Sequence, residues 1–403
     1  MKQDDVDRIA DWIVRRGLEG AEESELLREF CERCNAAGLP ISRALALIDT
    51  LHPVHEGRVF RWRDDGQAEP MQDYGRTDQG ESAALWQRSP FYHLVQTGQE
   101  EMRRRLGFGD EAGFSAIQEV KDQGHTDYFA FVHRVGSGHT IGQMDSVSSS
   151  WSTRHPEGFS EANARALQRL VPMLGLAIKS AALARIAGTL VEVYLGRDAG
   201  RRVLEGRIQR GVADRIGAVL WFSDLRGYTA ITDTAPPGEV IPLLNDYAEA
   251  VITAIHEASG DVLKLIGDGV LAIFEATDPF LACRRALQAE AALRRRAGEV
   301  NARRVAEGRP TTTVYLGLHI GEVFYGNIGS DDRLDFTVVG PAVNEVNRIA
   351  SMCRSVDRTV VMSSDFAAAT PQPERASLVS VGRYALRGVG KAQELFTLDP
   401  DLT

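Results

Sequence analysis

The segment DVLKLIGDGVLAIFE, residues 261–275, constrains the fold more than any other. Two apolar runs meet at Gly267-Asp268-Gly269, which reads as a hairpin turn. Upstream, AVLWFSD (218–224) is a continuous apolar strand that ends on a carboxylate. Between them, PPGEVIPLLNDYAEAVITAIHEASG reads as an amphipathic helix stopping at Gly260. A long helix follows over about 278–307, then strand-rich TVYLGLHIGEVFYGNIG and DFTVVG. PAVNEVNRIASMCRS then begins with proline at a first helical position. The order β-α-β-β-α-β, with additions, predicts a split βαβ sheet backed by helices.

A chain of 403 residues predicts two domains. Residues 1–48 read as two or three helices, with Pro40-Ile-Ser42 turning into ARALALIDTL. GRVFRWR (57–63), DYFAFVHRV (127–135) and HTIGQMDSVSSSW (139–151) read as strands, with a polar helical segment around 81–106. Together they predict a small α+β module. From Phe159 the pattern becomes a long helix that Ser160 would cap. A second helical stretch, IAGTLVEVYLG, and a charged segment, RDAGRRVLEGRIQRG (197–211), follow. The boundaries are 1–158 for the N-terminal module, 159–211 for a helical linker or dimer stalk, and 212–403 for the C-terminal domain. From pattern alone the 159–211 helices suit a stalk or a core-covering helix equally.

Net charge −10 argues against nucleic-acid binding, which needs clustered positive charge. MKQDDVDRIADW is not a signal peptide, and the apolar stretch 170–178 is about half a bilayer span. A cytoplasmic protein with no membrane partner is expected. Cys31, Cys34, Cys283 and Cys353 are too few for a disulfide framework. The lone C-x-x-C lacks the second pair a zinc site needs. His93, His125, His133 and His139 show no ligand spacing. Trp62, Trp86, Trp151, Phe129 and Phe131 read as core packing ahead of a pocket lining.

Asp224 at a strand end and Asp268 at a hairpin tip can converge as an oxygen site for Mg²⁺. Either one alone is more often a turn former or a cap. L-R-G-Y-T follows Asp224, where Gly227 permits close backbone approach to phosphate. Asn344 and Arg348, four apart on a helix, share one face. A guanidinium beside an amide suits phosphate together with a ribose or purine edge. Lys264 sits four residues before Asp268 and either pairs with a carboxylate or reads a ligand acceptor. LRGVGK offers Arg387 and Lys391.

W-F-S-D-L-R-G-Y-T, K-L-I-G-D-G, G-L-H-I-G-E-V-F-Y-G-N-I-G, D-F-T-V-V-G-P-A-V-N-E-V-N-R and L-R-G-V-G, in that order, resemble the motifs of class III adenylate and guanylate cyclases over about residues 213–396. The resemblance implies a ferredoxin-like α+β catalytic domain. It implies Asp224 and Asp268 as ligands of two Mg²⁺ or Mn²⁺ ions per site. Lys264 and Thr337 match the base-reading pair of the threonine-type adenylate cyclases, whereas guanylate cyclases typically carry glutamate and cysteine there. Asn344 matches the asparagine that orients the nucleotide, and Arg348 the transition-state arginine. Arg387 stands where a lysine usually holds the terminal phosphates, and Gly227 and Thr229 fall on the substrate-binding turn. Pro341 departs from the acidic residue of many bacterial members.

The activity implied is conversion of ATP to cyclic AMP and pyrophosphate by a homodimer with shared sites. A guanylate cyclase or a non-catalytic nucleotide sensor are the alternatives. D-Y-F-A-F, G-F-S-E-A-N-A-R-A-L and the long helix resemble the end of a GAF-like domain, which implies binding of a small-molecule regulator or formation of a dimer.

Overall fold

The structure, a computed structural model, describes residues 1–403 except 68, 79, 135–145, 388–391 and 400–403. The chain divides into two compact units, Met1–Leu190 and Val191–Thr403.

The first unit opens with α1 (Gln3–Leu18) and α2 (Glu23–Ala36), followed by β1 (Arg43–Asp49), β2 (Gly57–Arg63) and β3 (Met71–Tyr74). Next come α3 (Gly80–Gln87), α4 (Pro90–Thr97), β4 (Glu101–Arg104), α5 (Ser115–Asp122), β5 (Asp127–Arg134), β6 (Ser146–Thr153) and α6 (Glu161–Leu195), whose residues from Val191 on belong to the second unit. The sheet order is β3-β2-β1-β6-β5-β4. Side chains alternate between its faces. Phe129, Phe131 and Trp151 pack with α1, α2 and α6, so these aromatics belong to the core. Tyr128, Ala130 and Val132 pack on the opposite face with α4 and α5.

The stretch ARALALIDTL is a correction. Residues 43–49 form a strand in which every second residue is buried, not a helix. Alanine and leucine on both faces hid the period of two. Helix α6 is another correction: it is one continuous helix of 35 residues, Pro172 included. Ser160 accepts the Asn163 N–H at 3.2 Å, as a cap should. An 18-residue window of α6 has mean hydropathy 1.6, so it meets the length and composition needed to cross a bilayer; 44% of it is buried in the fold. Residues Leu167, Leu170, Leu174 and Ile178 enter the core of the first unit. His139, Lys391 and the start of the strand expected over 139–151 lie outside the described residues.

All four cysteines are buried and unpaired. Burial pushes the Cys283 and Cys353 thiols up to about 12 and also raises those of Cys31 and Cys34 well above their ordinary value. No cluster of three or more metal-ligating side chains occurs among the described residues.

His125 is only 3% exposed, and neither ring nitrogen has a hydrogen-bond partner among the described residues. Burial first, then Arg154 and Arg43, lower its pKa from 6.5 to about 4. The unfolded chain therefore takes up a proton near pH 6.5 that the folded chain refuses until about pH 4. Stability from this group is complete above pH 6.5 and drains away as pH falls towards 4, by up to about 3 kcal/mol. Urea melts of the wild type and His125→Gln at pH 7 and pH 5 should show a smaller pH dependence in the variant. Equal pH dependence would exclude His125 as the source.

The second unit comprises α7 (Arg197–Leu204), β7 (Ala213–Leu225), α8 (Tyr228–Thr234), α9 (Pro237–Glu257), β8 (Asp261–Ile266), β9 (Gly269–Glu275) and α10 (Pro279–Ala306). It continues with β10 (Val314–Gly329), β11 (Leu334–Val339), α11 (Pro341–Val356), β12 (Val360–Ser363), α12 (Ser364–Ala369), β13 (Leu378–Tyr384) and β14 (Gln393–Leu398). The strand order is β13-β14-β12-β10-β7-β9-β8, with β11 paired to β10. β10 and β12 run parallel, and the other pairs are antiparallel. Val219 and Trp221 of β7 pack against α9 and α10. Ala218 and Leu220 face α7 and α11. A strand covered on both sides accounts for the unbroken apolar run read in the sequence.

Candidate active site

Strand β7 delivers Asp224 to its end, where Asp224 stands opposite Tyr315 of β10. Gly227, at φ +68°, then turns the chain into α8. The β8–β9 hairpin turns at Gly267 and brings its tip over the same strand end. There the Leu225 N–H donates to Asp268 Oδ2 at 3.1 Å. Asp224 Oδ1 is buried with no hydrogen-bond partner among the described residues. Burial raises the Asp224 carboxyl above its ordinary value, the Asp268 charge adds to the rise, and Arg354 opposes it. An orphaned carboxylate oxygen beside a second carboxylate is costly unless a cation completes it. The donors are all hard oxygens and few, which fits Mg²⁺ or Mn²⁺ ions that keep places for water and phosphate.

This strand end is braced from below. The Thr312 hydroxyl donates to the Arg226 carbonyl at 2.6 Å, and the Arg226 N–H donates to the Thr313 carbonyl at 2.8 Å. Thr312 N–H donates in turn to the Tyr247 hydroxyl of α9 at 2.8 Å. Sequence reasoning missed Thr312, Tyr247 and Arg354, because each acts across a long loop or from a helix with no local signature.

Helix α11 carries Asn344 and Arg348 on one face, as their spacing predicts. Gly317 of β10 fixes its height: a Cβ there would lie 2.6 Å from Ala350 N and 2.7 Å from the Val346 carbonyl. Asn344 is exposed and Arg348 half-buried. Neither side chain forms a hydrogen bond or ion pair among the described residues.

Lys264 leaves β8 to form an ion pair with Asp335 of β11. Thr337 lies two residues beyond Asp335, hence on the same face of that strand, and is buried. Asp335 belongs to a motif read in the sequence, but no role was assigned to it there. Arg387 is exposed just after β13, and Thr229 is exposed on α8.

The two aspartates share a cavity of 170 Å³ with Leu225, Ile241, Leu244 and Tyr247. Lys264 and Asp335 line a separate cavity of 750 Å³. Thus the structure joins Asp224 to Asp268, and Lys264 to the strand bearing Thr337. Neither cavity is lined by Asn344, Arg348 or Arg387.

Residues 213–399 match the family described as Adenylate and Guanylate cyclase catalytic domain. An adenylate cyclase of Anabaena cylindrica is 32% identical over 171 residues, 42% of this chain and 34% of that protein. An uncharacterized protein of Mycobacterium tuberculosis is 32% identical over 195 residues, 48% of this chain and 35% of that protein. The chain therefore spans about a third of the length of these curated relatives. Among solved structures, the adenylyl cyclase CyaB from P. aeruginosa aligns with a TM-score of 0.42 and 21% identity, over 46% of this chain and 95% of that chain. Residues 213–399 form an adenylate/guanylate cyclase catalytic domain.

Proposed function

We propose that this chain is an adenylate cyclase converting ATP to 3′,5′-cyclic AMP and pyrophosphate, with sites completed between two copies. The observation that carries the reading is the partnerless, buried Asp224 Oδ1 held beside Asp268. Two Mg²⁺ or Mn²⁺ ions, when bound, would supply activation of the ribose 3′-hydroxyl and neutralise the leaving pyrophosphate. Arg348 offsets charge building on the α-phosphoryl oxygens as the hydroxyl attacks in line. Asn344 orients the nucleotide. Arg387, with Gly227 and Thr229, holds the phosphates. Lys264 has donors only, which suits the adenine N1 acceptor and opposes the guanine N1–H. Thr337 supplies a hydroxyl to the exocyclic amine. The name of the Anabaena cylindrica relative supports the choice of adenine.

Two features support shared sites. The carboxylate cavity, at 170 Å³, is smaller than the 300–1,000 Å³ usual for small-molecule sites. Lys264, assigned to the base, lines a separate cavity, and Asn344, Arg348 and Arg387 line neither. A symmetric pair would place two complete sites across its interface. The order β10-β7-β9-β8 supports the ferredoxin-like reading of residues 212–403. The flanked six-stranded sheet supports a GAF-like regulatory role for residues 1–158, acting through 159–211. A cytoplasmic location completes the proposal.

Purified full-length chain, given ATP or GTP with Mg²⁺ or Mn²⁺, should release mainly cyclic AMP. Predominant cyclic GMP would move the assignment to guanylate cyclase. Nucleotide binding without turnover under either metal would overturn the enzymatic reading.

A further inference from the structure

The first unit holds a cavity that the cyclase chemistry does not use. On the sheet face opposite α1, α2 and α6, the β4–β5 half is filled by Met102, Tyr128, Ala130, Phe91 and Leu94. The β1–β2–β3 half is not filled. There a cavity of 710 Å³ lies between the sheet and helices α3 and α4, within the range of small-molecule sites. Leu45, Leu47 and Val59 form its floor, and Trp86, Tyr92 and Val95 form its wall. Trp86 and Tyr92 meet edge to face, with ring centroids 6.1 Å apart. A flat apolar floor facing aromatic edges suits a planar ring.

The charges in the cavity are not equally engaged. The Tyr74 hydroxyl donates to Asp49, and Glu56 accepts from the Thr77 N–H and hydroxyl. Arg61 also lines the cavity and is half-buried. Its guanidinium makes no hydrogen bond or ion pair among the described residues. Burial pulls it below its ordinary value, and Glu69 acts in the opposite direction from beyond ion-pair distance. A desolvated guanidinium is a bidentate receptor for a planar anion.

We infer that this cavity binds a small aromatic carboxylate, its ring between the Leu45–Leu47–Val59 floor and the Trp86–Tyr92 wall, its carboxylate on Arg61. Such a ligand completes the one cation of the cavity that lacks a partner, while its ring covers apolar surface. The site is read by binding alone, so its test is independent of the cyclase assignment.

Calorimetry on the full-length chain with 2-naphthoate, and with uncharged 2-naphthamide of the same shape, tests the inference. Naphthoate should bind saturably and about 10- to 100-fold more tightly than the amide. Arg61→Gln should weaken naphthoate by a similar factor and leave the amide unchanged. Arg61→Lys, which keeps the charge but loses the fork, should fall between. Val95→Trp, which fills the cavity without touching the charge, should abolish binding of both. Circular dichroism melts confirm that each variant is folded; if Arg61→Gln fails to fold, Arg61→Lys and Val95→Trp decide. Equal affinity for acid and amide, or naphthoate binding undiminished in Val95→Trp, overturns the inference. So does the absence of saturable naphthoate binding at millimolar concentration.

Discussion

Asp224→Ala and Arg348→Ala chains, each nearly inactive alone, should recover about a quarter of wild-type activity when mixed in equal amounts. Each substitution is expected to cost about 10³-fold or more in kcat, the scale on which removing a charge-stabilising group slows phosphoryl transfer. The quarter follows from pairing. Half of the dimers formed at random are mixed, and each mixed dimer has one site with its aspartates on the Arg348→Ala chain and its arginine on the Asp224→Ala chain. The other site lacks both. The prediction rests on geometry: Arg348 does not line the cavity that holds Asp224 and Asp268. Recovery should need time for subunit exchange and should be absent when both substitutions lie on one chain. Inactive single variants with no recovery after exchange would show that one chain builds the whole site.

The second large effect concerns the base. Lys264→Glu with Thr337→Cys should convert preference from ATP towards GTP only when Asp335 is also changed. Lys264 is ion-paired with Asp335, so Lys264→Glu alone sets two carboxylates together and turns the new side chain out of position. Adding Asp335→Asn removes that repulsion. The triple variant should then swing the ratio of kcat/KM for ATP over GTP by about 10³-fold, while Lys264→Glu alone loses activity with both nucleotides. Steady-state rates with each nucleotide measure this. A Lys264→Glu/Thr337→Cys chain that prefers GTP as strongly without the third change would remove Asp335 from the specificity argument.

The local signals in the sequence were sound where one element carries the whole message. The hairpin at Gly267-Asp268-Gly269, the proline start of α11 and the Ser160 cap each appear as read. Their success has a common cause, since turn and cap chemistry acts over a few residues. The errors share a different cause. Residues 43–49 carry apolar side chains on both faces of a central strand, so no period of two stands out. The short strands β3 and β4 have too few residues to show any period. The convergence of Asp224 and Asp268 was legible because each carboxylate stands at a strand end or a hairpin tip. The Thr312–Tyr247 brace and the Lys264–Asp335 pair join residues 65 and 71 positions apart, a distance over which no pattern in one sequence speaks. The cavity around Arg61 is legible only in three dimensions, because it is defined by what the β1–β2–β3 half of the sheet leaves unfilled.

The concealed sulfur atoms have a practical consequence. With Cys31, Cys34, Cys283 and Cys353 each 0% exposed and their acidities suppressed, the folded protein offers maleimides almost no thiolate near neutral pH. The natural chain is thus already a blank background for spin or fluorophore labelling. A single cysteine placed on an exposed turn would report alone, so distances between two copies could be measured without first rewriting the core.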